Sequence, residues 1–195
     1  GWDACALTVL ARVVTKPSND RIILDSGSKT LTNDLARGIT QSEWRDLLEN
    51  PERPLHNKAI AGVYPPGSTY KMVTALAALE SKAIDPWTRL PCNGYLQLGN
   101  IKFHCWLGGG HGPTNVVEAL AASCDCFFYE AARRAGIDRI SEMAFRPGFG
   151  KQSDLGLPGE SSANQPTRAW KQDKIGKSWQ HGDTFNLGIG QGYMT

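Results

Sequence analysis

Ser68 and Lys71 stand three apart in "YPPGSTYKMVTALAALE", residues 64–80, where an apolar helical pattern begins. Residues i and i+3 share a helix face, so a hydrogen bond between the two side chains is within reach. A serine hydroxyl is a weak nucleophile until a base takes its proton, and a lysine can be that base when burial or cationic neighbours keep it neutral. A helix N-terminus disfavours the protonated lysine and offers free N–H groups to an oxyanion. The placement therefore suits acyl chemistry. The pattern alone is not specific, because Ser26 and Lys29 in "SGSK" repeat it in what reads as a turn. An N-capping serine with a solvated lysine is the competing reading.

A second group of reactive types is Cys92, Cys105, His111 and Cys124, separated by 12, 5 and 12 residues. Three thiolates and one imidazole make a full tetrahedral zinc set, with a structural role and no open position for water. The spacing is not that of a finger, so buried free thiols or a Cys92–Cys105 disulfide stay open. His104 and Cys126 are spare candidates, and Cys126 is expected to pack elsewhere on its helix as a small hydrophobe. Cys5 makes the cysteine count odd, which rules out complete internal pairing.

These residues need elements to position them. "ALTVLARVV" and "RIILDSG" read as a hairpin around "KPSND". "TQSEWRDLLEN" reads as a helix capped by Thr40 and ended before Pro51, and "RPLHNKAIAGVYPPG" as extended or loop. Met72, Val73, Leu76, Leu79 and Ala83 predict a helix over 68–83 with Ser68 as N-cap. Residues 86–113 show little periodicity, and so long an irregular segment needs a stabilising or functional reason. Asn115 and Glu118 predict a capping box opening "VVEALAASCDCFFYEAARRAG", with "SCD" a candidate break and Gly136 its end. "IDRISEMAF" reads as a short helix, and residues 147–183 as loop-rich.

The 195 residues suffice for one domain with a core, and 41% hydrophobic and 21% charged residues are ordinary for a globular chain. A net charge of +2 gives no electrostatic argument for nucleic acid or anionic membrane. No apolar run reaches the length of a membrane span, and "GWDACALTVLARVV" lacks the marks of a signal peptide. The absent initiator Met and the ending "GIGQGYMT" predict a piece of a longer protein without its own membrane anchor.

"NKAIAGVYPPGSTYKMVTALAALE" resembles the nucleophile region of the penicillin-binding transpeptidases, and more narrowly the class B, elongation-specific penicillin-binding protein 2 family. "RPLHNKA", "ALAASCDCFFYEAARRAGIDRI", "GLPGE", "PTRAWKQ" and "GDTFNLGIGQGY" carry the resemblance over about residues 37–195. It implies an α/β fold of the α+β type: part of the β-lactamase-like transpeptidase domain, mainly its helical half. It also implies D,D-transpeptidation of peptidoglycan, in which Ser68 attacks the D-Ala-D-Ala stem peptide and Lys71 is the general base. Ser123-Cys124-Asp125 stands where the family has its second motif, Ser-x-Asn, with an aspartate at the third place as the narrower resemblance leads one to expect, and it implies that Ser123 relays a proton and Asp125 orients Lys71 and the substrate amide. The third motif, Lys-(Thr/Ser)-Gly, is not matched by "KTL" or "KSW", so the chain is expected to stop before that strand and to be inactive alone.

Some penicillin-binding protein 2 relatives carry a zinc site of mixed Asp, His and Cys ligands. By that resemblance Cys105, His111 and Cys124 fall at three of its places and Cys92 supplies the fourth. Zinc there would pin the second motif, because Cys124 lies between Ser123 and Asp125. The resemblance further implies no organic cofactor, β-lactams as inhibitors, a glycosyltransferase of the elongation machinery as partner, and the periplasmic side of the bacterial inner membrane as location. A same-fold hydrolase, a β-lactam sensor and a non-catalytic zinc-stabilised fragment are the alternatives. Residues 1–34 instead resemble a stretch of the D-threonine aldolase and D-serine dehydratase family, without its cofactor lysine or barrel. A chimera joined near Asp34–Arg37 is the simplest account, dividing the chain into a discordant hairpin segment 1–36 and a partial transpeptidase domain 37–195.

Overall fold

The computed structural model describes residues 12–18, 21–25, 39–55, 57–153 and 159–195. Cys5, the "SGSK" repeat of the serine–lysine pattern and the start of the first expected strand lie outside them. The chain divides into two compact units, residues 1–62 with 156–161 and residues 63–155 with 162–195.

In the first unit β1 (Arg12–Ser18) pairs antiparallel with β2 (Arg21–Asp25), and β3 (Ile39–Thr40) pairs with β2 through Arg21↔Thr40 and Ile22↔Ile39. The expected hairpin is there, but β1 runs on through Pro17. The β1–β2 register shifts between Thr15 and Ser18, and an irregularity of that kind is where a residue without an N–H is tolerated. α1 (Gln41–Glu49) starts at a complete capping box. Glu43 N–H donates to Thr40 Oγ1 at 3.2 Å, and Thr40 N–H donates to Glu43 Oε2 at 2.8 Å. "RPLHNKAIAGVYPPG" is not wholly extended, because Asn57 Oδ1 accepts from Ala59 N–H and opens a single turn, α2 (Lys58–Ala61).

The second unit holds every residue of the serine–lysine and cysteine–histidine groups. A 3-10 turn, Gly67–Tyr70, feeds α3 (Lys71–Glu80). Ser68 therefore lies inside the turn and is not the N-cap, which leaves its hydroxyl free for another partner. α3 packs against the helices α4 (Val116–Ala121), α5 (Asp125–Ala135) and α6 (Ile137–Phe145). Its buried side consists of Lys71, Val73, Thr74, Ala75, Ala77 and Ala78, while the expected core residues Met72 and Leu76 are 58% and 54% exposed. Close approach of several helices selects the small side chains and turns the long ones outward.

Residues 86–113 are less irregular than their composition suggests. β4 (Tyr95–Leu98) and β5 (Ile101–His104) form a hairpin across Gly99-Asn100, a two-residue turn signal between short runs. The region read as loop-rich contains α7 (Arg168–Ile175), capped by Thr167, and the start of α8 (His181–Gly188). α5 is the central element: it packs on α3, α6 and α8 and on the β4–β5 hairpin. Phe127, Phe128 and Tyr129 join Val116, Ala119 and Phe185 in one apolar cluster, and Ala132 joins Tyr70, Val73, Ile137, Ile140, Leu187 and Met194 in the other. Among the described residues helices dominate and the two sheets are small and antiparallel, in keeping with an α+β assignment. Among the described residues no helix is long and apolar enough to cross a membrane.

Candidate active site

The turn carrying Ser68 is fixed from below. Gly67 N–H donates to Gly190 O at 2.9 Å. Gly190 has φ 70°, and a Cβ on it would stand 2.3 Å from Gly67 O and 2.7 Å from Tyr70 Cβ, so only glycine fits. Tyr70 is fully buried, and its hydroxyl donates to Gln165 Oε1 at 3.0 Å.

The expected break at "SCD" is a helix stop followed at once by a helix start. Ser123 N–H bonds to Leu120 O at 3.2 Å and Cys124 N–H to Ala119 O at 2.9 Å, the paired closure of a Schellman motif. That motif needs a left-handed residue at the position Ser123 occupies, and Ser123 has φ 50°. Glycine is the usual occupant, and a side chain there costs roughly 1–2 kcal/mol. The strain turns both the Ser123 carbonyl and its hydroxyl toward α3. Asp125 then opens α5, where a carboxylate suits the helix N-terminus.

Lys71 is 1% exposed and meets that break end-on. Its Nζ donates to Asp125 Oδ1 at 2.6 Å, Ser123 O at 2.8 Å and Ser123 Oγ at 3.0 Å. Three acceptors, one of them a carboxylate, use all three protons of an ammonium. The Phe128 ring centroid lies 5.7 Å away on another side. Ser123 Oγ in turn donates to Ser68 Oγ at 3.0 Å. The structure thus changes one expectation: among the described residues Lys71 reaches Ser68 through Ser123 and not by a bond within its own turn.

The second oxygen of Asp125 accepts from Trp106 N–H at 3.0 Å, and Trp106 Nε1 donates to Ala122 O at 3.0 Å. Trp106, Gly190 and Gln165 are supports that residue types did not reveal. Two of them act through the backbone, which leaves no side-chain signature.

The cysteine–histidine set is also brought together. The ligand atoms of Cys92, Cys105, His111 and Cys124 all lie within 4.8 Å of one another. His111 Nδ1 stands 3.6 Å from both Cys92 Sγ and Cys105 Sγ. Tetrahedral zinc with Zn–S about 2.3 Å and Zn–N about 2.0–2.1 Å places such S and N atoms about 3.6 Å apart. The four cysteines of the described region are free thiols, so the Cys92–Cys105 disulfide is not formed. Burial pushes the Cys92 thiol up, but N–H groups of His111 and Gly94 and the His111 ring outweigh it and bring it down to about 6. Burial pushes Cys124 up to about 12, with the neighbouring Cys92 and Cys105 adding to the rise, so these thiols crowd negative charge that a cation would relieve. Gly110 closes the loop at φ 78°, where a Cβ would stand 2.1 Å from Cys92 O. His111 Nε2 is buried and has no hydrogen-bond partner among the described residues, and the ring meets Trp106 edge-on at 5.3 Å. Cys126 is buried in the apolar cluster outside the four-ligand set, and the exposed His104 accepts from Tyr129 Oη through its carbonyl while its ring lies 6.2 Å from that of Tyr95.

Residues 11–195 match the model of the penicillin binding protein transpeptidase domain. The peptidoglycan D,D-transpeptidase MrdA of Escherichia coli K12 is 41% identical over 188 residues, which are 95% of this chain and 30% of that protein. The crystal structure of Pseudomonas aeruginosa PBP2 in complex with WCK 5153 is 38% identical with a TM-score of 0.76, over 83% of this chain and 36% of that one. Helicobacter pylori PBP2 in its complex with MreC is 31% identical with a TM-score of 0.78, over 98% of this chain and 37% of that one. The chain spans about a third of the length of the curated relatives it matches.

Proposed function

The chain belongs to the penicillin-binding protein transpeptidase domain family, and from that membership we propose that it forms part of a peptidoglycan D,D-transpeptidase working through an acyl-serine. The observation that carries the proposal is the continuous hydrogen-bonded line Asp125–Lys71–Ser123–Ser68. In the resting arrangement the line donates from Lys71 towards Ser68. With Lys71 neutral it runs the other way: Ser68 O–H donates to Ser123 Oγ, whose proton passes to Lys71 Nζ. Ser68 Oγ then attacks the carbonyl of the D-Ala-D-Ala bond of a stem peptide. Lys71 returns the proton through Ser123 to the departing D-alanine nitrogen, and an amine from a neighbouring stem takes the acyl group from Ser68. Asp125 orients Lys71 throughout, and Trp106 N–H keeps Asp125 from turning. A β-lactam would acylate the same oxygen. Hydrolases and sensors share the acylation half of this chemistry, and the relatives' names speak for transpeptidation.

The cysteine–histidine set supports a structural zinc held by Cys92, Cys105, His111 and Cys124. Zinc would supply cross-linking of the 92–111 loop to the second motif. Residues 1–36 as a chimeric aldolase-like segment remain a separate proposal. The family match from residue 11 and the 95% coverage against MrdA favour a lead-in of the transpeptidase itself. Action on the periplasmic side of the inner membrane, beside an elongation glycosyltransferase and a partner such as the MreC of the Helicobacter pylori complex, completes the reading. The direct test is labelling of the full-length protein by a fluorescent penicillin, located by mass spectrometry. The label is expected on Ser68, and labelling that persists in Ser68→Ala removes the nucleophile assignment.

A further inference from the structure

Lys171 is a second buried lysine, 4% exposed, and the reaction sequence above does not use it. It lies on α7 and donates to Asp183 Oδ2 at 2.5 Å, while the rings of Tyr193 and Trp179 flank its Nζ at 5.4 and 5.9 Å. Each contact belongs to the segment that supports the nucleophile. Asp183 sits in the first turn of α8, where it also accepts from Gln180 N–H at 2.7 Å. α8 ends two residues before Gly190, the residue that fits against Gly67 and Tyr70. Tyr193 lies three residues beyond Gly190, and its carbonyl accepts from Asn164 Nδ2 at 2.6 Å. Lys171 thus joins the start of α8 to the chain that leaves the Gly190 loop.

A buried ion pair is weak evidence for stability, because apolar side chains of similar volume do as well or better. What such a pair supplies is a fixed direction, since its charges are satisfied in one arrangement only. Gln165, six residues before Lys171, holds Tyr70 on the other side of the same turn. We propose that Lys171, through Asp183 and Tyr193, is a positioning residue that sets the Gly190 loop and thereby the place of Ser68 relative to Ser123. Displacing a nucleophile by about 1 Å can slow a reaction by roughly 100-fold without weakening binding.

The inference rests on the acyl-serine reading, so the experiment separates the two. In the full-length protein, β-lactam acylation is resolved into a non-covalent dissociation constant and a first-order acylation rate constant, alongside a thermal melt. Lys171→Met combined with Asp183→Asn removes both charges and keeps the stem volume and the cap acceptor on Gln180 N–H. The double variant is expected to melt close to wild type and to bind the β-lactam equally well, with acylation slowed about 10- to 100-fold. Lys171→Met alone leaves Asp183 its Gln180 N–H and its place in the first turn of α8, and is the second variant, expected to show the same split. Wild-type acylation in either folded variant overturns the inference and leaves the acyl-serine reading intact. Failure of the wild-type protein to acylate at Ser68 overturns both.

Discussion

Ser123 combines a backbone position that favours glycine with a hydroxyl that the proton line requires, and substituting it separates the two. In both Ser123→Ala and Ser123→Gly the link between Lys71 and Ser68 is lost. The variants differ only at the backbone. Alanine keeps the strain of φ 50°, roughly 1–2 kcal/mol, whereas glycine relieves it. Glycine gives back about 0.4–1 kcal/mol through the greater freedom of its unfolded chain. The net is about 0.5–1 kcal/mol in favour of glycine. For a melting unit of about 150–250 residues that corresponds to a melting temperature about 1–4 °C above that of the alanine variant. At an ordinary helical site the order is the reverse. Acylation by penicillin should fall by about 100- to 10,000-fold in both, the usual worth of a positioned proton carrier. Parallel thermal melts and stopped-flow acylation of the full-length protein measure the two quantities. An alanine variant that melts at or above the glycine variant refutes the backbone argument. An alanine variant that acylates at the wild-type rate refutes the passage of the proton through Ser123.

Gly190→Ala would drive a Cβ to 2.3 Å from Gly67 O. Backbone strain and overpacking together should cost about 2–4 kcal/mol, seen as a lower urea midpoint and slower acylation, and an unchanged midpoint would mean that the loop can move away. Native mass spectrometry should find one zinc per chain, lost in Cys105→Ser. A chain lighter by two hydrogens and free of metal would put a disulfide in its place. Burial pushes the Glu130 carboxyl up, but hydrogen bonds from Arg133 and Arg134 outweigh it and leave it below its ordinary 4.5. A depressed carboxylate contributes its stability above the ordinary value and loses it as pH falls through the lowered one. The urea midpoint of wild type should therefore drop more than that of Glu130→Gln between about pH 4.5 and pH 3, and equal drops would remove the Glu130 contribution.

Local patterns in the sequence were enough for the elements whose signals are local. The Thr40 cap, the Asn115 capping box, the end of α5 at Gly136 and the break at "SCD" depend on hydrogen bonds between residues a few positions apart, and each is present. The residue types at Ser68, Lys71, Ser123 and Asp125, and the cysteine–histidine set, were also legible as candidates. Their connection was not. Residues 68 and 123 meet only because α3 packs on α5, and the route from Lys71 to Ser68 passes through a side chain 52 residues away. The apolar pattern of α3 pointed Met72 and Leu76 inward, and packing among three other helices buried small residues and Lys71 instead. Backbone groups supply the Trp106 N–H on Asp125 and the Gly190 carbonyl under Gly67, and every non-proline residue type carries such groups alike. Sequence fixes which chemical groups exist and which short turns they can cap. Long-range packing decides which of them face one another, because the contacts that orient a proton line are made across helices and are encoded in the fit of whole surfaces.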